Sequence, residues 1–239
     1  CYTGLMKRQK ELPQREQFLT EEVLNAMSSN VFYGIGEPLI QREEDTHVPA
    51  EAYLDLVKAL GCGAYRSWMH LTEVLKDPST PDPEAVSAHT RLLDRAAALG
   101  LEVTGMSHEW FLPKGCRQSK GHAMPKRDLS EGSLYMQALH MLEESWYTMV
   151  SLFPQVSQWE VGNEWNINAF LHPEGFLEGD MSKPFTPDEK LDIAVDMMYF
   201  AAKGVRRANP KARVVSFSPA LGTPWLGSDL PDYLPTMYG

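Results

Sequence analysis

The sequence predicts an α/β fold on a parallel sheet, of the (β/α)8 TIM-barrel kind, with strands one to about five present. Three observations carry this reading. Strand-length apolar runs alternate with helix-length amphipathic runs, which implies parallel strands joined by right-handed crossovers. Connections from helix to strand are short, whereas those from strand to helix are long, at 37–48, 108–130 and 165–185. No Gly-x-Gly-x-x-Gly follows the first strand, which speaks against a dinucleotide-binding sheet.

Residues 14–29 read as an N-terminal helix, with Phe18, Leu19, Val23, Leu24 and Met27 on one face. Val31–Gly36 is the first strand. Pro49 opens a helix over Ala50–Leu60 that Gly61 ends, and Gly63–Trp68 is the second strand. Pro83 opens the next helix, which runs to Leu99 with Gly100 as its cap, and Leu101–Ser107 is the third strand. Residues 131–152 form a long helix in which Leu134, Leu139, Leu142, Trp146 and Val150 recur at helical spacing. Gln158–Gly162 is the fourth strand. Thr186-Pro187-Asp188-Glu189 starts a helix that continues to about Ala208. Arg213–Ser218 is the fifth strand, and Asp229–Tyr238 begins a further helix. Residues 1–30 are thus a helical extension, and 31–239 the N-terminal portion of a barrel domain.

Composition narrows the function classes. Hydrophobic residues make up 43% and charged residues 23% of the 239, the balance of a globular protein with a sizeable core. The net charge of −10, from 22 basic and 32 acidic side chains, argues against a nucleic-acid or anionic-membrane partner. No run is long and apolar enough to span a bilayer. Three cysteines cannot all pair internally: Cys62 falls in an apolar stretch, as a small buried residue would, and Cys116 in a polar loop. Cys1 suits either a mature lipoprotein or a chain cut from a longer one; the second reading is preferred, and the compartment stays open.

The richest segment is Trp159-Glu160-Val161-Gly162-Asn163-Glu164-Trp165-Asn166. It brings an Asn-Glu pair to the C-terminal end of the fourth strand, the end where barrel enzymes build their sites. There Glu164 can give or take a proton, Asn163 can bond a substrate hydroxyl, and an aromatic face can cover a pyranose. Glu160, deeper in the barrel, suits a buried hydrogen-bond network. Arg66 would be costly inside a barrel unless a carboxylate pairs with it, either in a site or in a structural pair with Glu160. His108 could meet a sugar hydroxyl or the acid/base, or be a structural histidine. Glu37 and Glu109 are further strand-end carboxylates. Trp68, Trp110, Trp165 and Trp225 follow strands and are candidates for stacking on sugar rings; Trp146 and Trp159 sit within elements and read as core. The spacing of His70, His108 and Glu109 matches no metal motif, so no metal and no cofactor are expected.

With Arg66, His108 and Asn163-Glu164 at successive strand ends, the chain from Val31 onward resembles glycoside hydrolase clan A. Glu160-Val161-Gly162-Asn163-Glu164 looks like the strand-four signature of family 39-type members, and Leu234–Gly239 looks like the helix after strand five. Trp165 stands where the family usually has Pro. The resemblance implies a retaining β-glycosidase in which Glu164 is the acid/base and Asn163 holds the sugar 2-hydroxyl. Arg66 would steady the nucleophile, a second Glu from strand seven. On that alignment the chain stops before strand six, so the nucleophile is expected beyond Gly239. The chain alone is expected to be inactive, and the open edge of strand five to favour self-association. The partner implied is an oligosaccharide or glycoside. Two rival readings are a non-catalytic carbohydrate-binding barrel and a metal-dependent barrel hydrolase.

Overall fold

Five parallel strands make one sheet in the order of the sequence: β1 (Gly34–Glu37), β2 (Ala64–Trp68), β3 (Glu102–Ser107), β4 (Gln158–Val161) and β5 (Arg213–Ser216). The computed structural model describes residues 34–37 (backbone only), 50–176 and 183–220. The expected helices at 14–29 and 229–238, and Trp225, lie outside the described residues. Between the strands run α1 (Ala50–Ala59), α2 (Pro83–Ala98), α3 (Leu134–Leu152) and α4 (Pro187–Ala208). Sequential parallel strands with a helix in each crossover are the first five units of a (β/α)8 barrel. Among the described residues β1 and β5 are the two edges of the sheet.

The helix starts follow their capping residues. Asp82 accepts from the amides of Glu84 and Ala85, with Pro83 in the first turn of α2. Ser133 caps α3 by accepting from Met136 N at 3.1 Å. Thr186 and Glu189 form a capping box at α4.

Strand alternation gives the sheet two unlike faces. Tyr65, Trp159 and Val161 turn to the helices: Tyr65 packs with Leu54, Val57, Leu92 and Ala96, and the Trp159 ring meets Trp146 of α3 at 5.9 Å. Gly105 sits beneath that indole, where a Cβ would come within 2.5 Å of the Trp159 ring. Side chains of this size each contribute about 1.5–3 kcal/mol on burial. The opposite row, Arg66, Thr104, Gln158 and Glu160, is polar and bonds to itself, as when Gln158 Nε2 donates to Thr104 Oγ1 at 2.8 Å.

Two strands end earlier than the sequence predicts, because the backbone leaves the ladder at each strand end. β4 stops at Val161 because Gly162 takes φ 85°. β5 stops at Ser216, and the Ser218 amide donates to the Glu160 carboxylate at 3.2 Å. The long loops also carry structure that periodicity did not reveal. A helical turn, Leu71–Val74, follows β2; Trp110–Phe111 pairs with Lys120–Gly121, and Ala123–Met124 with His172–Pro173. Cys62 and Cys116 are both half-buried, so Cys62 is less enclosed than expected.

Candidate active site at the strand ends

At the C-terminal ends of β2, β4 and β5, one carboxylate organises its neighbours. Glu160, 4% exposed, accepts from Arg66 Nε at 2.5 Å and Nη2 at 2.8 Å. Ser218 adds its amide at 3.2 Å and its hydroxyl at 3.0 Å. Arg66 Nη2 also donates to Asn163 Oδ1 at 3.0 Å. A buried carboxylate needs such charge-assisted partners, and the planar guanidinium fork fits it better than an ammonium would. Of the two roles open to Arg66, the structure supplies the pair with Glu160 and extends it to Asn163. With its oxygen engaged by Arg66, Asn163 keeps its amide hydrogens as donors.

Glu164 follows at once, in a backbone state unlike any other described side-chain-bearing residue. Its φ is 50°, the left-handed region that residues with a Cβ rarely adopt. Neighbouring segments hold it there. Its amide donates to Ser218 O at 2.9 Å, and its carbonyl accepts from Ile167 N at 3.0 Å. Asn166, fully buried, exchanges two bonds with Ala220, at 3.0 and 2.9 Å. The Trp165 ring lies so close to Gly162 that a Cβ there would overlap it. Among the described residues no hydrogen bond or ion pair engages the half-buried Glu164 carboxylate. Backbone strain of this kind clusters at active sites, ligand clamps and switch regions.

On the other flank, after β2 and β3, aromatic rings gather. His108 stands 4.4 Å from His70, 4.9 Å from His122 and 5.3 Å from Trp68, centroid to centroid. Burial, reinforced by His70, His122 and Arg66, pushes the His108 pKa down to about 2. Burial likewise lowers His122 to about 4, although Glu109 acts in the opposite sense. His108 is therefore a neutral imidazole at neutral pH. Its Nδ1, that of His70 and Nε2 of His122 are buried without partners among the described residues.

The tryptophans separate. Trp68 is half-buried at the end of β2, where it can still meet a ligand. Trp110 and Trp165 are each 1% exposed, in contrast to the stacking role expected from their position. Trp110 donates through Nε1 to Ala123 O at 2.9 Å and meets the Trp165 ring edge-on at 6.0 Å. The two rings pack on each other and on neighbours, Trp110 against His122 of the loop after β3 and Trp165 against Phe217 after β5. Trp146 and Trp159 are core, as expected. Only the backbone of Glu37 is described, at the end of β1. Ser218, Asn166, His70 and His122 were not among the residues the sequence nominated as binding; each acts through a contact distant in the chain.

No protein-family model and no curated protein matches the sequence. Solved structures do match the fold. A GH5-4 broad specificity endoglucanase from an uncultured bacterium superposes with a TM-score of 0.55 at 14% identity, over 80% of this chain and 55% of that one. The GH5-4 broad specificity endoglucanase from Clostridium longisporum gives 0.51 at 17% identity, over 72% of this chain and 45% of that one. Across the most similar structures this chain spans 31% to 55% of the matched chain's length. At such identities the likeness establishes architecture: the described sheet is part of a TIM barrel of the kind these glycosidases share.

Proposed function

We propose that the chain is part of the catalytic barrel of a glycoside hydrolase that cleaves β-linked sugars by retaining double displacement. The observation that carries the reading is Glu164, whose carboxylate has no partner among the described residues and which a left-handed backbone (φ 50°) holds at a strand end beside Asn163. In this reading Glu164 protonates the departing glycosidic oxygen, then deprotonates the water that opens the glycosyl-enzyme ester. A second carboxylate, from a strand beyond the five described and about 5–5.5 Å from the Glu164 carboxylate, attacks the anomeric carbon from the opposite side of the sugar. Asn163, its oxygen bound to Arg66, donates to the 2-hydroxyl. Arg66 is oriented by Glu160 and adds positive charge near the nucleophile. Trp68 and His108 wall the sugar, and the substrate is a glycoside or oligosaccharide. The Glu160–Glu164 segment suits a family 39-type motif within the clan.

The test uses the full-length protein. Glu164→Gln should abolish most hydrolysis of glycosides with poor leaving groups and spare activated aryl glycosides more, because those need less protonation. Equal loss on both classes would remove Glu164 from the acid/base role. The 239-residue chain alone should turn over no aryl β-glycoside above background. Turnover by it that vanishes in Glu164→Gln would place a nucleophile within these residues.

A further inference from the structure

The spacing of His70, His108 and Glu109 in the sequence matches no metal motif, yet the fold brings the three together. His70 follows β2, and His108-Glu109 follows β3, so neighbouring strand ends supply them. Each offers a ligand atom, and these atoms all lie within 4.8 Å of one another. A tetrahedral centre with ligand bonds of about 2.1 Å sets its ligand atoms roughly 3.4 Å apart, a closure of about one ångström by side-chain rotation. Two features show that the donors are available. His70 and His108 are 3% and 5% exposed, and the Nδ1 of each is buried without a partner among the described residues. Buried polar atoms with nothing to bond are uncommon in folded proteins, and a bound ion or water is one usual explanation. The Glu109 carboxylate is meanwhile oriented by the Thr72 hydroxyl, which donates to one of its oxygens, while the other has no hydrogen bond among the described residues. A ligating carboxylate is usually held in this way by a further hydrogen bond.

We propose that His70, His108 and Glu109 bind one divalent cation of the zinc class, which clips the segment after β2 to the segment after β3. Two imidazoles and a carboxylate suit zinc and its neighbours rather than magnesium or calcium, which prefer all-oxygen sites. Three protein ligands leave a coordination position for water or another small donor. The site shares His108 with the sugar-facing wall of the hydrolase reading but neither Glu164 nor Glu160, and ion binding is measured without any turnover. Its failure and the failure of that reading are therefore separable.

Titration of the metal-free 239-residue chain with zinc sulfate at pH 7, followed by calorimetry, tests the proposal. One ion per chain should bind with a micromolar or lower dissociation constant and raise the thermal unfolding midpoint. Cobalt chloride should give the ligand-field absorption of a low-coordinate nitrogen and oxygen site. His70→Gln, His108→Gln and Glu109→Gln should each weaken zinc by about a hundredfold or more, at least what loss of an outer-shell partner can cost. Absence of binding by the unaltered chain overturns the proposal whether or not any variant folds. Undiminished affinity in folded His70→Gln or His108→Gln overturns it too, by locating the ion elsewhere.

Discussion

The two flanks of the strand-end face solve the problem of buried polarity in opposite ways. On the β4–β5 flank, Glu160 has both oxygens engaged, by Arg66 and Ser218, and Arg66 in turn holds Asn163. On the β2–β3 flank, His70, His108 and His122 are packed ring to ring with nitrogens that bond to nothing described. The first flank is a closed network, whose members exist to orient one another. The second holds bonding capacity in reserve. A site needs both kinds of wall: a rigid one to aim the reacting groups, and an unsatisfied one to receive a ligand.

The largest effect should come from breaking the closed network. Arg66→Ala leaves the Glu160 carboxylate buried beside Ser218 alone, and unpairing a buried charge costs about 3–5 kcal/mol. Urea denaturation should show this loss, with Glu160→Gln recovering part of it in the double variant because the stranded charge is gone. If Arg66→Ala costs under about 1 kcal/mol, the two flanks do not differ as described. The matching change on the other flank, His122→Phe, removes no hydrogen bond seen among the described residues and keeps an aromatic ring, somewhat larger than imidazole. It should shift stability by less than about 1.5 kcal/mol.

A second contrast appears on titration. His89 of α2 is 3% exposed, and burial, helped by His70, lowers its pKa to about 4 from the usual 6.5. The unfolded chain therefore takes up a proton on this histidine before the folded one does. Its contribution is complete above about pH 6.5 and is lost as pH falls toward 4, by about 1.4 kcal/mol per pH unit. His89→Phe should flatten the stability profile between pH 6.5 and 4 by that slope. An unchanged slope would mean that His89 is already protonated in the folded chain.

Much of this was legible in the sequence. Asp82-Pro83 and Thr186-Pro187 declared their helices because caps act locally. The place of Asn163-Glu164 just past the fourth strand was legible, because the apolar strand and Gly162 precede it. The cost of Arg66 alone in a barrel required a carboxylate partner and offered Glu160 as one of two settings for it, and the structure supplies that pair. What the sequence concealed depends on loops folding back. Trp110 follows a strand just as Trp68 does, yet it packs against Trp165 and His122 and is buried, whereas Trp68 is half-buried. Ser218 and Asn166 act across gaps of 58 and 54 residues, and nothing in local composition marks such contacts. The histidine cluster combines position 70, after β2, with positions 108 and 122 of the one long loop after β3, which the parallel sheet and the folding of that loop bring side by side.

The smallest expected effect concerns Glu164 itself. Holding a residue with a Cβ at φ 50° costs about 1–2 kcal/mol, and Asn166, Ser218 and Ala220 supply the bonds that sustain it. Glycine bears no such cost, although it gives the unfolded chain about 0.5–1 kcal/mol more entropy to lose. Glu164→Gly should therefore stabilise the chain slightly, by up to about 1 kcal/mol. Glu164→Ala, which keeps the Cβ, should not, and Glu164→Val should destabilise it because β-branching is least tolerated there. Denaturation midpoints ordered Gly above Ala above Val would show that the backbone around this acid is held under strain. Identical midpoints for Gly and Ala would mean that the left-handed turn is relaxed, and that Glu164 is held by its surroundings at no cost to the fold.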